Sequence, residues 1–322
     1  MPLSLRAYST FCRVLEAEAP PLPRLLEIAR SGRWCEARDL AATPLYREHL
    51  SPVITGAERG VEALDRGIYS SLSETLSLLR SFGTEAAQRF IDAFTRIYDA
   101  ENVIRALELL SFRGVVRQGG LVPLGSVYEA LKGRELRSVD ELRGALLARG
   151  LRDVAALLPK GTGAEARMEA ALRLELYVLR NLEERVLELK PAPNAPRSLM
   201  LWRELRMSLR VFEAYIRGAR DVVGRVYGVE LPPEPLEAVA KLSRRSLLPE
   251  KLVPRLSSAK EPWERELIEV ELVVGEVIPP LLYSGGSYDQ LVRVLLYRFY
   301  ESRLMRLCLH NCIGEALHER AA

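Results

Sequence analysis

One helical unit recurs three times along these 322 residues, and that recurrence constrains the fold more than any single residue does. Each copy opens on a short helical stretch around a Glu: Leu26-Glu27-Ile28-Ala29, then Tyr128-Glu129-Ala130-Leu131, then Leu236-Glu237-Ala238-Val239. Each then runs into a long amphipathic helix that closes near Gly114, Gly224 or Gly314. The anchors stand roughly 100 residues apart, a domain-sized period. Copies of one helical unit stack into ring-like or solenoid scaffolds more readily than they enclose a catalytic cleft. The spacing predicts three similar modules, 1–118, 119–228 and 229–322, arranged funnel-like around a pseudo-threefold axis.

Helix formers dominate nearly every window. Leu, Ala, Arg and Glu prevail, aromatic residues make up only 7%, and β-branched runs are short, so an all-α fold is expected. With 48% hydrophobic and 28% charged residues, the chain buries a core and is not disordered. A net charge of +3 is too balanced to mark a general nucleic-acid binder. No apolar run reaches the roughly 18–20 residues a bilayer span needs, and the N-terminal stretch lacks a signal-peptide core, which predicts a cytoplasmic protein. Cys12, Cys35, Cys308 and Cys312 form neither a dense disulfide framework nor paired metal knuckles, so buried reduced thiols are expected.

Breaker residues divide the chain. Helices are expected over 59–82 and 84–113, joined at Phe82-Gly83-Thr84, where Gly ends one helix and Thr caps the next. Ser138 to Glu141 reads as a capping box. A helix is expected from 164 to 190, stopped by the Pro-rich run 191–196. A single helix over 198–227 follows, with Leu201, Leu205, Phe212, Ile216, Ala219 and Val223 on one face and Arg203, Arg206, Arg210 and Arg217 on the other. A Glu-rich helix over 262–278, a turn over 279–286 and a final helix from 288 to about 317 complete the chain.

Catalytic motifs are missing: there is no GxxxxGK[ST], no GxSxG and no HExxH, and His occurs only three times. The expectation is a protein that is not an enzyme, with no cofactor and no metal. Cys308 and Cys312 share a helix face with His318 downstream, but His310 faces away from them, so four ligands do not close. A sharper pattern lies in Tyr98-Asp99-Ala100-Glu101-Asn102-Val103-Ile104-Arg105. Tyr98, Asn102 and Arg105 form a polar stripe beside Phe90, Phe94, Ile97 and Ile104, while Glu101 falls inside the apolar face and needs a partner from another helix. Tyr98, Asp99, Glu101, Asn102 and Arg105 read as a structural polar clamp. The arginine face reads as a solvated surface paired with Glu204 and Glu213, or as a docking surface for an acidic protein.

The string from Tyr98 to Arg105 resembles a signature of the archaeal and bacterial C-subunit family of A/V-type ATPases, whose eukaryotic counterpart is the V-ATPase d-subunit. Gly120-Leu121-Val122-Pro123-Leu124-Gly125, Tyr300-Glu301-Ser302-Arg303-Leu304-Met305-Arg306-Leu307 and Leu40-Ala41-Ala42-Thr43-Pro44-Leu45-Tyr46 are similar to that family's other segments. Arg105 stands one or two places early against the signature, and the second and third copies lack a matching Asp/Asn pair. The resemblance implies a funnel of three helical modules seated on the membrane proteolipid ring, peripheral on the cytoplasmic face, that receives the central-stalk subunits and transmits torque without an active site. Its partners would be proteins, with neither nucleic acid nor a small-molecule substrate. A helical-repeat adaptor unrelated to ATPases is the rival reading and predicts an open superhelix with its ends far apart. An all-α isoprenoid-type enzyme would need Asp-rich metal motifs, and the chain has none.

Overall fold

A computed structural model describes every residue except Met1, Arg59, 243–247, 283–284 and Ala322. The described chain is 76% helical and contains no strand, which makes the fold all-α. The helices are α1 (Leu5–Ala17), α2 (Leu22–Ser31), α3 (Ala37–Leu40), α4 (Pro44–Ile54), α5 (Val61–Phe82), α6 (Glu85–Arg113), α7 (Ser126–Leu131) and α8 (Val139–Ala148). There follow α9 (Arg152–Ala156), α10 (Ala164–Val186), α11 (Ala195–Ile216), α12 (Arg220–Tyr227), α13 (Pro235–Leu242), α14 (Leu248–Ser258), α15 (Pro262–Leu272) and α16 (Asp289–Ala321).

Local signals set these boundaries. The α5–α6 joint falls at Gly83, and the Thr84 hydroxyl accepts from the Ala87 amide at 3.4 Å. Ser138 caps α8 by accepting from the Glu141 amide at 3.1 Å, while the Glu141 carboxylate reaches back to the Arg137 amide at 2.8 Å, one residue before the position a capping box usually serves. The single helix expected over 198–227 is two helices. Arg217-Gly218-Ala219 separates α11 from α12, because Gly218 takes a left-handed φ of +74° that ends α11. Of the three closing glycines, only Gly114, at φ +69°, ends a helix; Gly224 lies inside α12 and Gly314 inside α16. The Glu-rich helix gives way to a π-turn at Val273–Val277. The turn expected over 279–286 includes 283–284, which lie outside the described residues.

The chain forms two compact units that follow different lines from the consecutive spans 1–118, 119–228 and 229–322. Unit 1 comprises Met1–Ile91, Val186–Ser198 and Glu266–Ala322, and unit 2 comprises Asp92–Arg185 and Leu199–Arg265. The reason for the discontinuity of unit 1 is α16. Leu291, Val292, Val294, Leu295, Leu296 and Phe299 are all buried, so over this stretch only a narrow strip at the half-buried Arg293 and Tyr297 reaches solvent and the rest of the helix is enclosed. It packs against α1, α2, α3 and α5, drawing both ends of the chain into one core. In unit 2, Phe94 of α6 stacks on Trp202 of α11 with ring centroids 6.2 Å apart.

The cysteines correct the expectation of four reduced thiols. Cys35 and Cys312 form a disulfide across 277 residues of sequence, whereas Cys12 and Cys308 are buried thiols that burial pushes up to about 12. Spacing along the chain shows Cys308 and Cys312 one turn apart but holds no sign that Cys35 meets the last turns of α16. Because the bond closes so long a loop, reduction or Cys35→Ser is expected to destabilise unit 1 by about 2–4 kcal/mol. Thermal unfolding with and without a dithiol reductant measures this, and the Cys35→Ser protein should no longer respond to the reductant.

Candidate functional site

The polar stripe on α6 divides into a buried pair and a half-exposed pair. Asp99 and Asn102 are buried, at 1% and 0% exposure. The Asn102 amide donates to the Val122 and Leu124 carbonyls at 3.0 and 2.9 Å, and its oxygen accepts from the Val122 amide at 2.7 Å. One side chain thus satisfies three backbone groups of the segment leading into α7. Asp99 accepts from the Val127 amide at 2.7 Å and pairs with Arg96 at 3.0 Å. It thereby caps the start of α7, where Gly125 has no side chain to do so. Gly125 is required twice over: its φ is +93°, and a Cβ there would lie 2.6 Å from an Asp99 carboxylate oxygen. Burial raises the Asp99 carboxyl above its ordinary range, against the Val127 amide and Arg96, which pull it down.

Glu101 corrects the expectation of a carboxylate inside the apolar face. It is half-buried and pairs with Arg105 one turn along α6, at 2.6 Å. Tyr98 is buried at 1%. An i,i+4 pair of this exposure contributes only about 0.2–0.5 kcal/mol, so Arg105→Ala should be nearly silent. Asn102→Ala orphans the Val122 amide and the Leu124 carbonyl, while the Val122 carbonyl keeps the Leu124 amide, and should cost roughly 1–3 kcal/mol. Urea unfolding of the two variants side by side separates them, and equal effects would remove the distinction.

The four arginines do not form a common solvent-facing stripe. Arg206 is buried at 8% and pairs with Glu175 of α10, which Arg210 also holds at 2.6 Å. Arg210 makes a second pair with Glu213 at 2.8 Å, and Arg203 pairs with Glu183. Arg217 alone of the four is exposed. The physical reason is Glu175, buried at 7%: a carboxylate out of water needs cations brought to it. With two guanidinium groups beside it, Glu175 is held down at about 2 in spite of its burial.

Arg210 and Arg217 also line a cavity of about 670 Å³ in unit 2, with Phe112 of α6, Arg167 and Met168 of α10 and Val222 of α12.

Unit 1 contains polar constellations to which no spacing along the chain points. Arg298 and Glu301, one turn apart on α16, are both 0% exposed and paired. Arg298 also donates to the Ser71 hydroxyl at 2.8 Å and lies over the Tyr46 ring, whose hydroxyl donates to Glu301 at 3.2 Å. Asp289 does for α11 what Asp99 does for α7: it accepts from the Ala195 amide at 2.9 Å and the Asn194 amide at 3.2 Å. His310 sits 3.0 Å from Asp65, which Arg306 also holds at 2.8 Å. The His318 side chain lies outside the described residues. Among the described residues, no group of three His, Cys, Asp or Glu side chains is placed to hold a metal ion, and no helix is long and apolar enough to cross a membrane.

Comparison with protein-family models, with curated proteins and with solved structures returns no match. The four strings that carry the resemblance to the ATPase family nevertheless meet in pairs. Within unit 2, the string from Tyr98 to Arg105 grips the string from Gly120 to Gly125 through Asn102. Within unit 1, the string from Leu40 to Tyr46 meets the string from Tyr300 to Leu307 through the Tyr46–Glu301 hydrogen bond.

Proposed function

We propose that the protein is a non-catalytic coupling part of an A/V-type rotary ATPase rotor, linking the central stalk to the membrane proteolipid ring and passing torque between them. The observation that carries this reading is the pairwise meeting of the four resembling strings. Asp99, Asn102 and Gly125 interlock, as do Tyr46 and Glu301, so the residues behind the resemblance belong to common structural devices. A part that transmits torque must resist shear, and buried, fully directional polar clamps suit that task. The partners in this reading are the central-stalk subunits and the proteolipid ring, which places the chain peripherally on the cytoplasmic face of the membrane.

An unrelated open helical superhelix fits less well, because α16 packs on α1 and α2 and such a superhelix keeps its ends apart. Of the four arginines, only Arg217 is exposed enough to meet an acidic partner without giving up an internal carboxylate. Affinity purification of the tagged chain from host membranes, followed by partner identification, tests the reading. Co-purification of the proteolipid and stalk subunits is expected. Recovery of the chain without either would overturn it.

A further inference from the structure

We propose that the unit 2 cavity is a binding site for a small monoanionic amphiphile, a carboxylate or sulfonate attached to an apolar body. The proposal does not depend on the rotor reading. At about 670 Å³, the cavity falls within the roughly 300–1,000 Å³ typical of small-ligand sites. Ile104, Met168, Ala171 and Val222 supply apolar wall. Phe112 stands at the same site with 77% of its surface exposed, more than any other large apolar side chain among the described residues. An aromatic ring left this open offers a platform to whatever enters.

Charge selects the ligand's head. The Arg167 guanidinium lies over the Phe112 ring, 4.8 Å from its centroid, and its Nη1 is buried without a hydrogen-bond partner among the described residues. A buried cationic N–H without an acceptor is costly, and an anion laid on the ring edge relieves it. Arg217, exposed on the same lining and likewise without a carboxylate partner among the described residues, provides a second donor. The other charges there do not compete for this role. Arg210 is committed to Glu175 and Glu213, and Glu165 pairs with Arg225. Glu108 and Asp221 are exposed, so water satisfies them, but they repel a multiply charged head. A single negative charge with an apolar body therefore fits better than inorganic phosphate or a polyphosphate.

Titration of the whole chain with 8-anilinonaphthalene-1-sulfonate, read by its fluorescence, tests the proposal. One saturable site is expected. Arg167→Gln should weaken binding about tenfold or more, the effect of losing a charged hydrogen bond. Arg217→Gln and Phe112→Ser should weaken it too, and Arg38→Gln, an exposed change in unit 1, should leave it unaltered. Decanoate should displace the probe, whereas decanol and inorganic phosphate at the same concentration should not. Binding by Arg167→Gln equal to that of the parent chain, or displacement by decanol as strong as by decanoate, would overturn the site. Circular dichroism checks each variant; if Arg167→Gln loses its helical spectrum, the exposed Arg217→Gln and Phe112→Ser carry the test, and unchanged binding in both overturns it equally.

Discussion

Above pH 7, where the Glu301 carboxyl is ionised in the parent chain, replacing Arg298 with Met is expected to destabilise unit 1 by about 3–5 kcal/mol, the cost of a wholly buried carboxylate without its cation. The double change Arg298→Met/Glu301→Gln should recover much of that loss, because the Gln oxygen still accepts from Tyr46 and no charge remains in the core. Urea unfolding of the single and double variants decides the matter: a double variant as unstable as the single would mean that packing around Arg298, and not its charge, holds this part of the core together. A pH dependence accompanies the cluster. Burial pushes the Glu301 carboxyl up to about 7 from an ordinary 4.5, although Arg298 pulls the other way. Between those values the folded chain holds a proton that the unfolded chain has released, so this group's contribution is fully present below about 4.5 and is lost as pH rises through about 7. Glu301→Gln should remove that slope.

The second large effect is expected in unit 2, with the opposite pH sign. Glu175→Gln leaves Arg206 and Arg210 around a neutral side chain in a nearly closed space and should cost about 3–5 kcal/mol. In the parent chain the carboxyl lies at about 2 against an ordinary 4.5, so its contribution is present above about 4.5 and is lost as pH falls towards 2. Calorimetric unfolding on the acid side should show unit 2 losing stability as Glu175 takes up its proton, and the Gln variant should show a flatter acid limb. An acid limb unchanged by the substitution would show that other carboxylates govern it.

Much of the helical content was legible because it rests on local chemistry. Gly83 and Thr84 and the Ser138 cap each act within a turn of their own position, so α5, α6 and α8 lie where those residues put them, whereas α10 ends at Val186, short of the 190 at which the proline run was expected to stop it. The break at Gly218 was obscured because Phe212, Ile216, Ala219 and Val223 keep an apolar period running through it. Period reports which side of a helix is greasy, not whether the backbone continues. The arginines on α11 show the complementary limit: their spacing defined a face, but the Glu175 that buries Arg206 lies on another helix. Asp99 and Asn102 stood out as unusual in sequence, yet their backbone partners near Val122 and Val127 carry no side-chain signature. The Cys35–Cys312 bond depends entirely on tertiary packing.

The way α16 sits among α1, α2 and α5 also bears on the order in which a ribosome can deliver a finished protein. Domains usually fold in the sequence in which they emerge, but here α1, α2 and α5 leave the exit tunnel with their apolar faces uncovered, and the helix that covers them follows only after the whole of unit 2. Unit 2 lies wholly between these parts in the sequence, so it can be complete while unit 1 still waits. During synthesis, then, the N-terminal helices pass through a long interval of exposed Leu22, Leu25, Leu72 and Leu76, in which a nascent-chain chaperone has the most to shield.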